Sequence, residues 1–350
     1  MLASTTRAHA LGPRRRAAAI ESLSVARDGD VRRAKEPNCR RATCRRAKEP
    51  TCADDAPSTS RRAALRVGAS AVMTVMMALG ARARAVAALD ADADALRRVL
   101  LESFDEQEFG RALEAASRLR ALEPGLEWTE AVATISVDAK KFKEAVEAYD
   151  EALALCGEDT GAKARVVAGR ALAYEGLYDF SSALRDYDEA LRLAEESGFV
   201  PDPYVLNSRG NVRGSLGDWA GAREDFALAA ELFQAAKGFR NGMSTTQRLD
   251  GAIYATSNMA LADAQLGDEA RALKILEGLV RRAPNSADVR AAAAALYYGA
   301  GRFEDAEDAW ERACSRESGC AKYRDIDYVR RVRRWPPAMV QKLQNFLAVG

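Results

Sequence analysis

Histidine is all but missing from this chain: one residue in 350 is a histidine, His9. Everything after it therefore lacks an imidazole for acid–base catalysis, for a Ser–His or Cys–His pair, or for a metal. Cysteine is sparse as well. Three of the six stand early, at Cys39, Cys44 and Cys52, and three later, at Cys156, Cys314 and Cys320. The later three form no CxxC pair, which argues against a redox-active motif. No long hydrophobic run is present either. The apolar stretch Val67–Ala81 has 15 residues, short of the about 20 that a membrane-spanning helix needs.

Acidic residues are scarce only at the start. Residues 1–85 hold 18 Lys and Arg against 7 Asp and Glu, a net of +11, and the remaining 34 basic and 44 acidic residues give the body a net of −10. A basic leader on an acidic body is a targeting pattern, and the body's charge argues against nucleic-acid binding. Residues 1–59 are rich in Arg, Ala, Ser and Thr without an apolar period, the composition of an unfolded organelle transit peptide. Within them Arg32–Cys39 recurs as Arg45–Cys52. The cysteine spacing there matches no metal-ligand pattern, so the duplication reads as low-complexity filler.

Residues 60–85 carry a second signal. Arg61 and Arg62 form a twin-arginine motif, Val67–Ala81 an export-type apolar core, and Ala83-Arg84-Ala85 a small-residue site for cleavage before Val86. The arrangement resembles bipartite targeting sequences that enter a plastid and then cross the thylakoid. It implies a chloroplast protein of the thylakoid lumen, soluble or peripheral. The alternatives are a stromal protein, or one tethered to a membrane by its retained apolar run.

The body, residues 86–320, repeats. Small residues recur at Ala112, Ala145, Ala183, Ala222, Ala272 and Ala306, separated by 33, 38, 39, 50 and 34 positions. Around them stand aromatics such as Tyr149, Tyr174, Phe180, Tyr187, Trp219, Phe226, Tyr297, Phe303 and Trp310. Small residues at fixed places let two helices approach, aromatics fill the space beside them, and one pair cannot bury its own apolar faces without neighbours. This pattern resembles the tetratricopeptide repeat. The resemblance implies an all-α fold, a right-handed solenoid of about six helical hairpins, with first helices along its concave side. Extra residues fall after second helices, at Glu196–Tyr204 and Lys237–Gln247, where Gly and Pro break the helix. Phe199 and Phe239 beside these turns are expected to pack on the lengthened helices.

The concave side of such a solenoid is where a partner would lie. Candidate groove residues are Arg165, Asn207, Arg209, Asn211, Arg213 and Asn258; Asn258 falls where the family often carries an asparagine that bonds a partner's backbone. An amide both donates and accepts, which suits an extended peptide. Cys314 and Cys320 are near enough in sequence for a disulfide, which an oxidising compartment permits. Cys156 reads as a small core residue.

Residues 321–350 read as a capping segment. Trp335-Pro336-Pro337 forces a corner, and a helix follows with Met339, Val340, Leu343, Phe346 and Leu347 on one face. The ending resembles that of a set of plastid and cyanobacterial repeat proteins. Arg330, Arg331, Arg333 and Arg334 form a basic cluster that could dock on anionic lipid or an acidic partner, or pair with the body's own carboxylates.

Together these features describe a non-catalytic scaffold that binds protein, an extended peptide or a thylakoid complex subunit, and aids assembly or maintenance of a photosynthetic membrane complex. No cofactor, metal or nucleic acid is implied. The competing readings are a lumenal redox or hydrolytic enzyme using Cys314/Cys320 or groove carboxylates, and a membrane-tethered adaptor. Mass spectrometry of the mature protein is expected to find Val86 at its N-terminus; a start before Val67 rules out lumenal cleavage.

Overall fold

The computed structural model describes residues 92–235, 245–314 and 319–349. The leader, the signal and the cleavage site before Val86 lie outside the described residues, as do Phe239 and most of Lys237–Gln247. The described residues contain helices and turns and no strand.

Among the described residues, twelve helices form six antiparallel pairs. They are α1 (92–105) with α2 (Phe109–Leu122), α3 (Leu126–Asp138) with α4 (Phe142–Leu155), and α5 (Thr160–Gly176) with α6 (Phe180–Glu196). These are followed by α7 (Pro203–Ser215) with α8 (Trp219–Ala235), α9 (Thr245–Gln265) with α10 (Glu269–Arg282), and α11 (Ala287–Gly299) with α12 (Phe303–Cys314). From α2 to α12 each helix packs on the next, and neighbouring first helices also touch, α3 with α5, α5 with α7 and α7 with α9. A short helical turn α13 (Ala321–Arg324), a π-helical turn (Tyr328–Val332) and α14 (Pro337–Leu347) complete the chain.

Local chemistry sets the ends. Asp159, Asp179, Asp202, Asp268 and Ser286 cap α5, α6, α7, α10 and α11, each side chain accepting a hydrogen bond from a first-turn N–H. Such caps satisfy donors that the helix itself cannot. The turn inside each pair needs one left-handed residue. Gln107, Lys140, Tyr178, Gly217, Gly267 and Gly301 all have positive φ, and each stands five places before one of the six repeat alanines. The two sets keep the same separations, so the repeat register is a backbone property as well as a side-chain one.

Packing depends on closeness. All six repeat alanines are fully buried. A Cβ added at Gly210 would lie 2.6 Å from the Phe226 ring, so this pair of helices meets at a distance that only glycine allows. Along α6 the buried residues Ala183, Asp186, Tyr187, Ala190 and Leu193 form one stripe at helical spacing. At the far end, α14 buries Met339, Val340 and Leu343 against α11 and α9, and Phe346 stacks edge-on against Trp310 and Tyr298. The final helix thus covers the apolar faces of the last repeat. Phe199 departs from expectation. One edge of its ring faces Gly161, which offers no side chain to cover it, and the residue stays 63% exposed.

The left-handed turn gives a test. Gly217→Ala is expected to cost about 1 kcal/mol, whereas Lys140→Gly, at an exposed position of the same geometry, is expected to stay within about 1 kcal/mol of wild type. Urea-denaturation midpoints check both, and equal midpoints for Gly217→Ala and wild type would contradict the argument.

Candidate functional site

Asn207 and Asn211 are one turn apart on α7, and Asn258 lies on the adjacent first helix, α9. The structure brings the three together: Asn258 Nδ2 donates to Asn207 Oδ1 at 3.2 Å and to Asn211 Oδ1 at 3.4 Å. Asn207 and Asn258 are nearly buried. Arg165 of α5 is exposed and holds Glu130 of α3 through two hydrogen bonds of 2.6 and 2.8 Å.

Arg209 and Arg213 are corrections to the expected groove. Arg209 turns away from the asparagines toward the second helices, making a bidentate pair with Asp225 at 2.9 and 2.6 Å and a third bond to Asp188 at 2.8 Å. Arg213 lies 3.2 Å from Asp225 Oδ2, the oxygen that also accepts from Arg209 Nε, and bonds the Gly221 carbonyl. The reason is electrostatic: Asp225 is nearly buried on α8 and has to be neutralised. One repeat earlier, Arg170 does the same with Asp186 and Asp150. Hydrogen bonding to Asp186 holds the Arg170 guanidinium well above its ordinary pKa. Each arginine ties a first helix to its own second helix and to the second helix before it. The signal was in the sequence: Arg170 and Arg209, and Asp186 and Asp225, stand 39 positions apart.

The tail is a second correction. Of the four arginines read as a basic dock, Arg330 and Arg331 are exposed. Arg333 and Arg334 are drawn inward, with side chains 16% and 24% exposed. Arg333 binds the buried Asp288 of α11 through Nε at 2.8 Å and Nη2 at 2.6 Å. Tyr323 Oη and Trp335 Nε1 donate to the same carboxylate at 2.9 and 3.3 Å. Burial alone would raise the Asp288 pKa, but the Arg333 charge and these hydrogen bonds outweigh it and hold the group below its usual range. Arg334 forms an ion pair with Glu175 of α5, 159 positions away. Further along, the Ala338 N–H donates to Gln265 at 2.8 Å and Lys342 pairs with Glu269 at 2.9 Å.

A family model described as tetratricopeptide repeat matches residues 263–324. Among solved structures, the chain is similar to a tetratricopeptide repeat protein from Parabacteroides merdae, at 17% identity and a TM-score of 0.50, covering 74% of this chain and 93% of that one. It is also similar to pilF of Pseudomonas aeruginosa, at 16% identity and a TM-score of 0.51, covering 75% of this chain and all of that one. The fold is the tetratricopeptide-repeat solenoid. No curated protein matches the chain by sequence.

In this solenoid the tail meets first helices α5, α9 and α11 and also second helices α6, α10 and α12, through Phe180, Glu269 and Trp310. Two other features bear on chemistry. The structure joins Cys314 at the end of α12 to Cys320 in a disulfide, with Cα atoms 4.8 Å apart, which fastens the root of the tail to the last repeat. Cys156 is buried, donates to the Ala152 carbonyl at 3.3 Å, and burial pushes its thiol pKa up, the opposite of an activated nucleophile. Among the described residues no cluster of three His, Cys, Asp or Glu side chains is arranged to hold a metal, and no helix is long and apolar enough to cross a membrane.

The Asp288 centre gives a further test. Arg333→Met and Asp288→Asn each leave an unmatched polar group in place and are expected to cost roughly 3–5 kcal/mol at neutral pH. The lowered Asp288 pKa adds a sign. Its contribution is fully present above the unfolded carboxylate value of about 3.9 and disappears as pH falls through the folded value. The stability gap between wild type and Asp288→Asn, measured by chemical denaturation, should therefore close only on the acid side of pH 4.

Proposed function

We propose that this protein is a scaffold whose concave face holds an extended polypeptide. The observation that carries the reading is the amide cluster of Asn207, Asn211 and Asn258. Asn258 spends its two N–H groups on Asn207 and Asn211, which leaves the Asn207 and Asn211 donors and the Asn258 carbonyl oxygen to meet a backbone without reading its side chains. The tetratricopeptide-repeat fold supports a role in protein interaction, and its curved inner wall gives the length that an extended segment needs.

The working place we propose is the chloroplast, in the thylakoid lumen, with a role in assembling or maintaining a photosynthetic membrane complex. The support is the two-part leader with Arg61 and Arg62, together with a disulfide, which suits an oxidising compartment. Peripheral contact with the membrane would fall to the exposed Arg330 and Arg331.

A photo-crosslinking residue at position 211, introduced into the protein and presented to isolated thylakoids, is expected to label a discrete polypeptide. Adding Asn207→Ala and Asn258→Ala should lower the yield at least about tenfold, as loss of two backbone-directed hydrogen bonds implies. An undiminished yield in the double variant would remove the amides from the binding surface.

A further inference from the structure

Among the described residues, a contact that bridges 159 positions is made by the least comfortable residue of the tail. Arg334 has a left-handed backbone, φ 52, a conformation that costs energy in any residue with a side chain. Its Nη1 is buried without a hydrogen-bond partner. Neither holds for Arg333, whose backbone is helical (φ −79) and whose guanidinium is matched by Asp288. One arginine anchors the tail, and the next is held at a cost.

What holds Arg334 is a pocket. Glu175 ends α5 with its side chain only 11% exposed. It accepts a hydrogen bond from Tyr187 Oη at 2.8 Å as well as the Arg334 guanidinium. The Phe180 ring faces Arg334 Cζ at 5.6 Å. A shielded carboxylate beside an aromatic face suits a planar cation, which stacks and pairs at once. Burial would lower the Arg334 pKa, but the Glu175 charge raises it. An emptied pocket would leave that carboxylate without a counter-charge, so whatever replaces Arg334 has to bring a cation.

The pocket lies one repeat before Asn207 and Asn211, on α5 and α6. The tail is fixed to α9 through Gln265 and to α11 through Asp288, and Arg334 reaches α5. Helix α7, with Asn207 and Asn211, stands between these supports. The Arg334 contact therefore carries the tail from the last repeat back to the third.

We propose that Glu175, Phe180 and Tyr187 form an arginine-binding pocket, filled in cis by Arg334, and that an extended partner segment carrying an arginine enters by exchange with it. This rests on the reading of the concave face as a peptide site. The body's net charge of −10 favours a basic partner over an acidic one. Tethering keeps the internal arginine at a high effective concentration, so the closed state is the resting one.

The test uses the full chain and a labelled synthetic peptide with the sequence of residues 330–340, alongside the same peptide carrying Arg334→Gln. Arg334→Ala protein is expected to bind the first peptide at least about tenfold more tightly than wild type, because the tethered competitor is gone. The Gln peptide should lose most of that gain, as should Arg334→Ala/Glu175→Gln protein. If Arg334→Ala loses helix content, Arg334→Lys, which keeps the charge without the planar face, should give a smaller gain in the same direction. No gain in either variant overturns the proposal, as does equal binding of the two peptides. If that equal binding is still lost in Asn211→Ala, the peptide-binding reading survives and only the pocket falls. Binding that needs the arginine and Glu175 but ignores Asn211→Ala supports the pocket and removes the amides from the site.

Discussion

Six alanines determine how near the two helices of each pair can come. Ala112, Ala145, Ala183, Ala222, Ala272 and Ala306 have no exposed surface. A larger side chain at any of them would force the pair apart, because packed interiors have little room to absorb added volume. Once the helices are close, aromatics such as Tyr149, Tyr187 and Phe226 can fill the space beside them, and the outer faces that remain apolar have to be covered by the next pair. The stack, its register and its need for a closing helix all follow from that one spacing.

Charge is arranged around this frame in two ways. On the outer side, Arg170 and Arg209 each join three helices through carboxylates that would be costly to bury alone, so the pairs lock successive repeats in one orientation. On the inner side, Asp288 gathers Arg333, Tyr323 and Trp335 from the tail around one carboxylate. A buried ion of this kind adds little net stability compared with an apolar replacement, but leaving either partner alone is expensive. Its effect is to fix where the tail goes. The disulfide at the root of the tail and the apolar face of α14 act in the same direction.

A binding wall follows from these two arrangements together. Because the arginines of α7 are turned to the second helices, the inner wall at that level is left to amides, which are neutral and can match a peptide backbone. Because the tail is anchored at α11, Arg334 can span to α5. The same segment thus finishes the core at one end and reaches the third repeat at the other.

The repeat itself was legible in the sequence, since alanine spacing and turn residues act within about 34 positions, where local packing makes the rules. The meeting of Asn207, Asn211 and Asn258 was partly legible, because residues one turn apart share a face. The direction of Arg209 was not read, although its 39-residue echo of Arg170 was there, because a face shared between wall and second helix is decided by where a buried carboxylate lies. The tail was legible only as an amphipathic ending. Nothing local in Arg333-Arg334-Trp335 distinguishes an exposed basic patch from two buried ion pairs. That choice belonged to the tertiary structure, which sets Glu175 of repeat three and Asp288 of repeat six within reach of neighbouring residues of the tail.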